Sequence, residues 1–329
     1  MKVKGTALIL SFVLGLLAAP FAASPQPQAR PYLIGVLNNS FTIGAPVIKG
    51  LKAGLKAEGI EEDRDVRFDI RSTGSDEKAA VPLAVALASN NPAVIVTVGE
   101  TETKAASAAA PRTPIVFTQI SDPLAMGLVA SIARPGGRQT GVTNLFAELV
   151  PKRLELAREL VPNLRRVFFV YDAQDPASMT GARNAQETAA RLKMHIVVRA
   201  VRTRDEAVRE LKTVGAGDVL LTPATVSLDI VALILNLNLY GVAPAIFHNS
   251  FWVQAGGAAS YGADMYAEGV QAARLVAKIL RGARPEEIPV EGVNKIEVAI
   301  NRKTVHAFGL TVPATLMARV DRVFEGIGE

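Results

Sequence analysis

Residues 134–145, RPGGRQTGVTNL, decide how this chain is built. They follow a short apolar run at 114–119 and the segment SDPLAMGLV at 121–129, and they read as a loop and then a short strand. At Pro151 the same alternation of helical and extended patterns starts again. A chain that leaves one α/β lobe and enters a second through a brief extended segment has a hinge and, beside it, a cleft.

Working outward, short β-branched runs alternate with helical periodicity, which is the pattern of βαβ units and parallel sheets. The first lobe is expected to hold strands at 32–37, 66–71, 93–98 and 115–119, with helices near 46–58, 76–89 and 103–110. The second is expected to hold strands at 167–171, 194–199, 218–221 and 245–247, with helices at 151–161, 177–192, 204–214 and 227–240. These strands are almost continuously apolar, as required when helices cover both faces of a sheet. A second crossover is read at 258–261, feeding a long helix at 265–281; the tail gives a strand at 295–301 and a closing helix at 313–324. Gly136-Gly137 and Gly256-Gly257 are turn glycines that also suit hinges.

The N-terminus is laid out as an export signal: Lys2 and Lys4, an apolar run at 6–19, then Pro20 and small residues. A run of about 14 residues is shorter than the roughly 20 a membrane span needs. Residues 1–23 are therefore expected to be removed, leaving a Pro/Gln-rich leader at 24–30 and a protein in the periplasm. The absence of cysteine excludes a lipid anchor on cysteine, disulfides and thiolate metal sites. Hydrophobic residues make up 49% and aromatics only 5%, so the two cores should be aliphatic. The formal charge of +5 becomes +3 without Lys2 and Lys4, a mild surplus with no Lys/Arg run interleaved with aromatics to hold nucleic acid.

In open α/β sheets ligands sit at the carboxyl ends of the strands, near helix N-termini. The loops there carry Asn38 to Ser40, Gly99 to Thr103, Ser121 to Pro123, Asp172 to Asp175, Thr222 to Thr225, and His248 to Ser250. Hydroxyls and amides can grip a carboxylate, and carboxylates an ammonium, as a zwitterion requires. The same residues are also preferred helix caps. No nucleophile elbow, HExxH, P-loop or dinucleotide fingerprint occurs, so no catalytic residue, metal site or cofactor is expected. Of the three histidines only His248 stands at a strand end; Trp252 lies in an apolar run and reads as core.

Several segments carry a family resemblance: ISDPLAMGLVASIARPGGRQTGVTN at 120–144, PKRLELARELVP at 151–162, QAGGAASYGADMYAEG at 254–269 and the ending KIEVAINRKTVHAFGLTVPATLMARVDRVFE. Together they resemble the periplasmic substrate-binding proteins of ABC importers, in particular the tryptophan/tyrosine type. The resemblance implies the type I periplasmic-binding-protein fold: two Rossmann-like lobes with parallel sheets joined by three hinge crossovers. Lobe 1 would span 31–141 plus 262–290, and lobe 2 would span 142–261 plus 291–329. It also implies a non-catalytic receptor, simplest as a monomer, that closes on a small solute and presents it to an ABC permease. By position the pocket would draw on Asn39, Ser40, Thr101, Ser121, Asp122, Thr222, Asn249 and Asp264. Asp122 and Asp264 would hold an ammonium, and Ser40, Thr101 and Thr222 a carboxylate. The chain departs from the pattern in placing Glu100 and Glu102 at the pocket lip and Asp172 opposite, which favours a ligand with a cationic group. One alternative has the same sequence pattern, a ligand-sensing partner of a membrane signalling receptor; another, a secreted hydrolase on the same fold, would need a water-activating constellation that the sequence does not assemble.

Overall fold

Apolar runs too short for helices and bounded by turn residues pair as strands, while the amphipathic segments between them cover the sheets. The computed structural model describes residues 31–40, 45–74, 76–223 and 227–328. The segments read as signal and leader, and Thr225, lie outside the described residues.

In chain order the first part contains β1 (Tyr32–Asn38), α1 (Pro46–Ala57), β2 (Val66–Ser72), α2 (Glu77–Ala88), β3 (Val94–Val98), α3 (Glu100–Ala109), β4 (Ile115–Ile120) and β5 (Gln139–Thr143). There follow α4 (Val150–Leu160), β6 (Arg166–Asp172), α5 (Pro176–Leu192), β7 (Ile196–Val201), α6 (Arg204–Leu211) and β8 (Asp218–Leu221). Next come α7 (Ile230–Leu239), β9 (Ala245–Phe247), α8 (Ser250–Gln254), β10 (Ala259–Ala263) and α9 (Met265–Leu280). The tail holds β11 (Glu291–Gly292), β12 (Ile296–Asn301), α10 (Arg302–Ala307), α11 (Ala314–Met317) and β13 (Arg322–Phe324).

The strands form two sheets, ordered β11-β5-β4-β3-β1-β2 and β13-β12-β10-β9-β8-β6-β7. Among the described residues every pairing is parallel except β10 with β12. This is the type I periplasmic-binding-protein fold with two α/β lobes. The chain crosses between sheets three times: after β5, after β10 and after β11. Val142 and Thr143, and Glu291–Gly292, which the sequence reading put with the second lobe, pair within the first sheet.

Each lobe has its own aliphatic core. In the first, Ile34, Val36, Val94, Val96 and Val116 meet Ile48, Leu51 and Leu55 of α1 and Ala272, Leu275 and Val276 of α9. In the second, Val167, Phe169, Val219 and Ile246 meet Val150, Leu154, Ala157 and Leu160 of α4. Burial at roughly 25 cal/mol per Å² is what holds each layer together.

Three expectations are corrected. The helix read from 103 begins at Glu100, because Gly99 (φ 112°) turns the chain without a capping side chain to mark the start. The closing helix read at 313–324 is one turn, Ala314–Met317; the following β-branched stretch pairs instead with β12, helped by Asp321, which accepts the Val298 N–H at 2.8 Å. The glycine pairs are not at the crossings. Gly136-Gly137 precedes β5 and Gly256-Gly257 precedes β10, each at the end of its strand away from the hinge. The glycine that matters near a hinge is Gly262 in β10, where a Cβ would run into the backbone carbonyl of His248.

Candidate functional site

Strand order reverses on either side of β1 in the first sheet and of β6 in the second. The crevice of an open α/β sheet lies at the carboxyl ends of the strands flanking such a reversal. In the first sheet these are the ends of β1 and β3, which place Asn39, Ser40, Glu100, Thr101 and Glu102; in the second they are the ends of β6 and β8, which place Asp172 and Thr222. The topology thus selects most of the sequence-predicted residues without reference to their chemistry.

Asn38, fully buried, holds the first loop: its Nδ2 donates to Arg71 O at 2.9 Å and its Oδ1 accepts the Ser40 N–H at 3.0 Å. Glu102 is anchored inside the first lobe, where its Oε1 accepts from the Thr73 hydroxyl at 2.7 Å. Burial raises its carboxyl above the usual range, with the Thr73 bond working the other way. Glu100 differs. Burial, the Asp175 carboxylate of the opposite lobe and the Asp122 carboxylate lift it to about 7, while Lys104 opposes. Glu100 therefore feels a carboxylate from each lobe, Asp122 from its own and Asp175 from the other. Asp122 uses Oδ1 to accept the Leu124 and Ala125 amides at 3.1 and 2.9 Å, and Asp175 caps α5 by accepting the Ser178 N–H at 2.7 Å. Asp172, buried, accepts the Gln174 N–H at 2.8 Å.

At the second sheet, His248 is buried among aromatic and polar neighbours. The Trp252 indole donates to Nε2 at 3.2 Å, which leaves Nδ1–H to donate to the Thr222 hydroxyl at 3.1 Å. Burial and the Arg153 charge push the imidazole down to about 3, so it stays neutral. Phe146, on the first crossing, packs on the His248 ring with centroids 4.6 Å apart. Asn249 is buried, and its Oδ1 lacks a partner among the described residues. Trp252 packs with the core as read, stacked on Phe247, and Tyr266 and Phe251 stand partly exposed nearby in sequence.

Of the remaining predicted residues, Ser121 touches the first crossing and Asp264 stands on the second. Ser121, at the end of β4, donates to Asn144 Oδ1 at 3.0 Å, and that same oxygen accepts the Phe146 N–H at 3.0 Å. Asp264 has both carboxylate oxygens engaged: Oδ1 caps α9 through the Tyr266 and Ala267 amides, and Oδ2 accepts from Lys295 at 2.7 Å. Although burial acts the other way, these bonds hold it below the usual carboxylate range. It joins the second crossing to the third.

Two residues escaped the sequence reading. Glu268 in the first turn of α9 is fully buried, and its Oε1 accepts the Gln119 N–H at 2.8 Å where the β4 register shifts. Its other oxygen accepts from the Gln119 amide. Burial, partly offset by these bonds, raises it to about 7. It fixes the bulge from which Ser121 and Asp122 emerge. Arg153 of α4 is the largest fully buried side chain. Neither was signalled, because both stand in amphipathic helices whose charges read as solvent-facing.

Two α/β lobes, three crossings and a polar cleft at the strand ends define a solute receptor. The chain belongs to the ABC transporter substrate binding protein family, whose model matches residues 45–324. The family is non-catalytic and extracytoplasmic, and supplies ABC permeases. The chain is 26% identical over 267 residues to the tyrosine-binding protein of Clostridioides difficile (strain R20291), covering 80% of this chain and 76% of that protein. It is similar to the structure of a conserved domain protein from Vibrio cholerae, with 27% identity, a TM-score of 0.75, and coverage of 89% of this chain and 100% of the other. A Streptococcus pneumonia ABC domain in complex with L-Trp shares the fold, with 23% identity, a TM-score of 0.77 and the same coverage.

Proposed function

We propose that the solute is a small zwitterion of the amino-acid class, whose ammonium is held between the lobes by Glu100, Asp122 and Asp175. The observation that carries this reading is that Glu100, at the N-terminus of α3, feels the carboxylates of both Asp122 in its own lobe and Asp175 in the other. A cation placed among them relieves their repulsion and favours the closed arrangement over the open one, which is the differential affinity that closure requires. Asn39, Ser40, Thr101, Thr222 and Asn249 border the same crevice and supply hydroxyl and amide groups, and Asp172 adds a carboxylate. Ser121, Glu102 and Asp264 act behind it, keeping loops and crossings in place. The printed ligands of two relatives, tyrosine and L-Trp, belong to the same class.

Residues 1–23 direct export and are removed, and the mature receptor diffuses as a monomer to its permease. The test is thermal unfolding of mature protein, first unfolded and refolded to strip bound solute, against a panel of L-amino acids, polyamines, sugars and organic acids. At a hundredfold its Kd a ligand adds about 2.7 kcal/mol, several degrees in midpoint. A shift confined to sugars or to acids without an amino group overturns the reading.

A further inference from the structure

We propose that Arg153 is the binding residue for the solute's carboxylate, an inference that rests on the zwitterion reading above. Arg153 stands in the first turn of α4, directly after the first crossing, and its side chain is fully buried. The helix turns its apolar face, Val150, Leu154, Ala157 and Leu160, onto the second sheet. Its N-terminus therefore lies at the carboxyl ends of the strands, where the cleft is. One Nη2–H donates to Phe146 O at 2.5 Å. Nε and Nη1 have no hydrogen-bond partner among the described residues.

A guanidinium buried in this way is costly unless an anion pairs with it. Glu148 attracts it from an exposed position, and no salt bridge reaches it among the described residues. Burial draws it down to about 9 without neutralising it near pH 7. The neighbouring imidazole cannot serve either: His248 feels the Arg153 charge, stays neutral, and has both ring nitrogens committed. Next to His248 in sequence, Asn249 Oδ1 is a buried acceptor with no partner among the described residues. Donors that want an anion, on α4, and an acceptor that wants an N–H, after β9, thus both stand on the strand-end side of the second sheet. An α-amino acid brings both. Its carboxylate accepts a charge-assisted hydrogen bond from Nη1 or from Nε. Because Arg153 is also tied to Phe146 on the crossing, carboxylate capture acts on the hinge itself.

The test compares dissociation constants by calorimetry for L-tyrosine, L-tryptophan and L-lysine with those of their decarboxylated amines, tyramine, tryptamine and cadaverine, and with 3-(4-hydroxyphenyl)propionate, which lacks the amino group. The proteins are wild type, Arg153→Lys and Arg153→Met. The expected result is that an amino acid binds wild type at least about tenfold more tightly than its amine, the scale of a charged hydrogen bond. Arg153→Met abolishes that preference and Arg153→Lys restores part of it. Equal binding of acid and amine by wild type overturns the proposal and needs no variant that folds. So does an Arg153→Met protein that keeps the preference while losing affinity for both alike, the pattern of a purely structural arginine. If 3-(4-hydroxyphenyl)propionate binds through Arg153 and no amino acid does, Arg153 stands and the zwitterion reading falls. If none of the seven compounds binds wild type, both fall.

Discussion

Replacing Glu268 by glutamine should make the protein respond differently to pH, and the size of the difference follows from the site. The carboxyl is fully buried and raised from 4.5 to about 7 by that burial. Between those values the native state keeps a proton that the unfolded state has lost, so native stability falls as pH rises. At about 1.4 kcal/mol per pKa unit this amounts to roughly 3 kcal/mol. Glutamine has no charge to desolvate. Its carbonyl still accepts the Gln119 N–H, and the Gln119 amide turns over to present its oxygen to the new NH2. Relative to wild type, Glu268→Gln should be near neutral or slightly destabilising at pH 5 and more stable by about 2–3 kcal/mol at pH 8. The comparison has to be made between proteins rather than along one curve. His248, lowered to about 3, contributes the opposite slope between about pH 3 and 6.5, where the unfolded state binds the proton that the native state refuses. Urea unfolding of both proteins at pH 5, 6, 7 and 8 measures the difference directly. A difference that stays constant over this range refutes the buried, proton-holding carboxyl.

Asp122→Asn should weaken amino-acid binding by about 1.5–3 kcal/mol, with little change in melting because asparagine still accepts the Leu124 and Ala125 amides; an unchanged Kd removes Asp122 from the site. Gly262→Ala drives a methyl into the His248 carbonyl and should cost about 1–3 kcal/mol in urea unfolding; a neutral result means β9 and β10 can separate there freely. Trp252 is the only tryptophan in the chain and donates to His248 Nε2. Its emission should therefore be flat from pH 5 to 8, whereas a transition near 6.5 would mean that His248 titrates as if exposed.

The strands and most helices were legible because the covered sheets demand nearly unbroken apolar runs, and β1, β3 and β8 are buried along almost their whole length. What went unread depended on neighbours distant in sequence. The tail strand Arg322–Phe324 exists because β12 offers it an edge, which no local pattern in the tail announces. The hinge glycines were mistaken because sequence flags glycine as a turn former, whereas Gly262 is needed inside a strand for close approach. In the site, strand-end polar residues were legible as a set. Their division of labour was not: Asp264 resembles Asp122 in sequence but meets Lys295 on the third crossing. Arg153 and Glu268 look like any charge on a helix until the sheet beneath them is known.

The contact between α1 and α9 has a consequence for biogenesis. The inner face of α1 is completed by Ala272, Ala273 and Val276, residues synthesised more than two hundred positions later. Gly50 and Gly269 let the two helices touch backbone to backbone, so nothing nearer in the chain can substitute. The layer of the first lobe between α1 and α9 consequently stays unfinished while the ribosome is still making the remainder, although the opposite layer, Leu37 with Ala84, Leu87 and Ile95, needs nothing beyond residue 115. A nascent chain of this design should reach its final compactness only once α9 has been made.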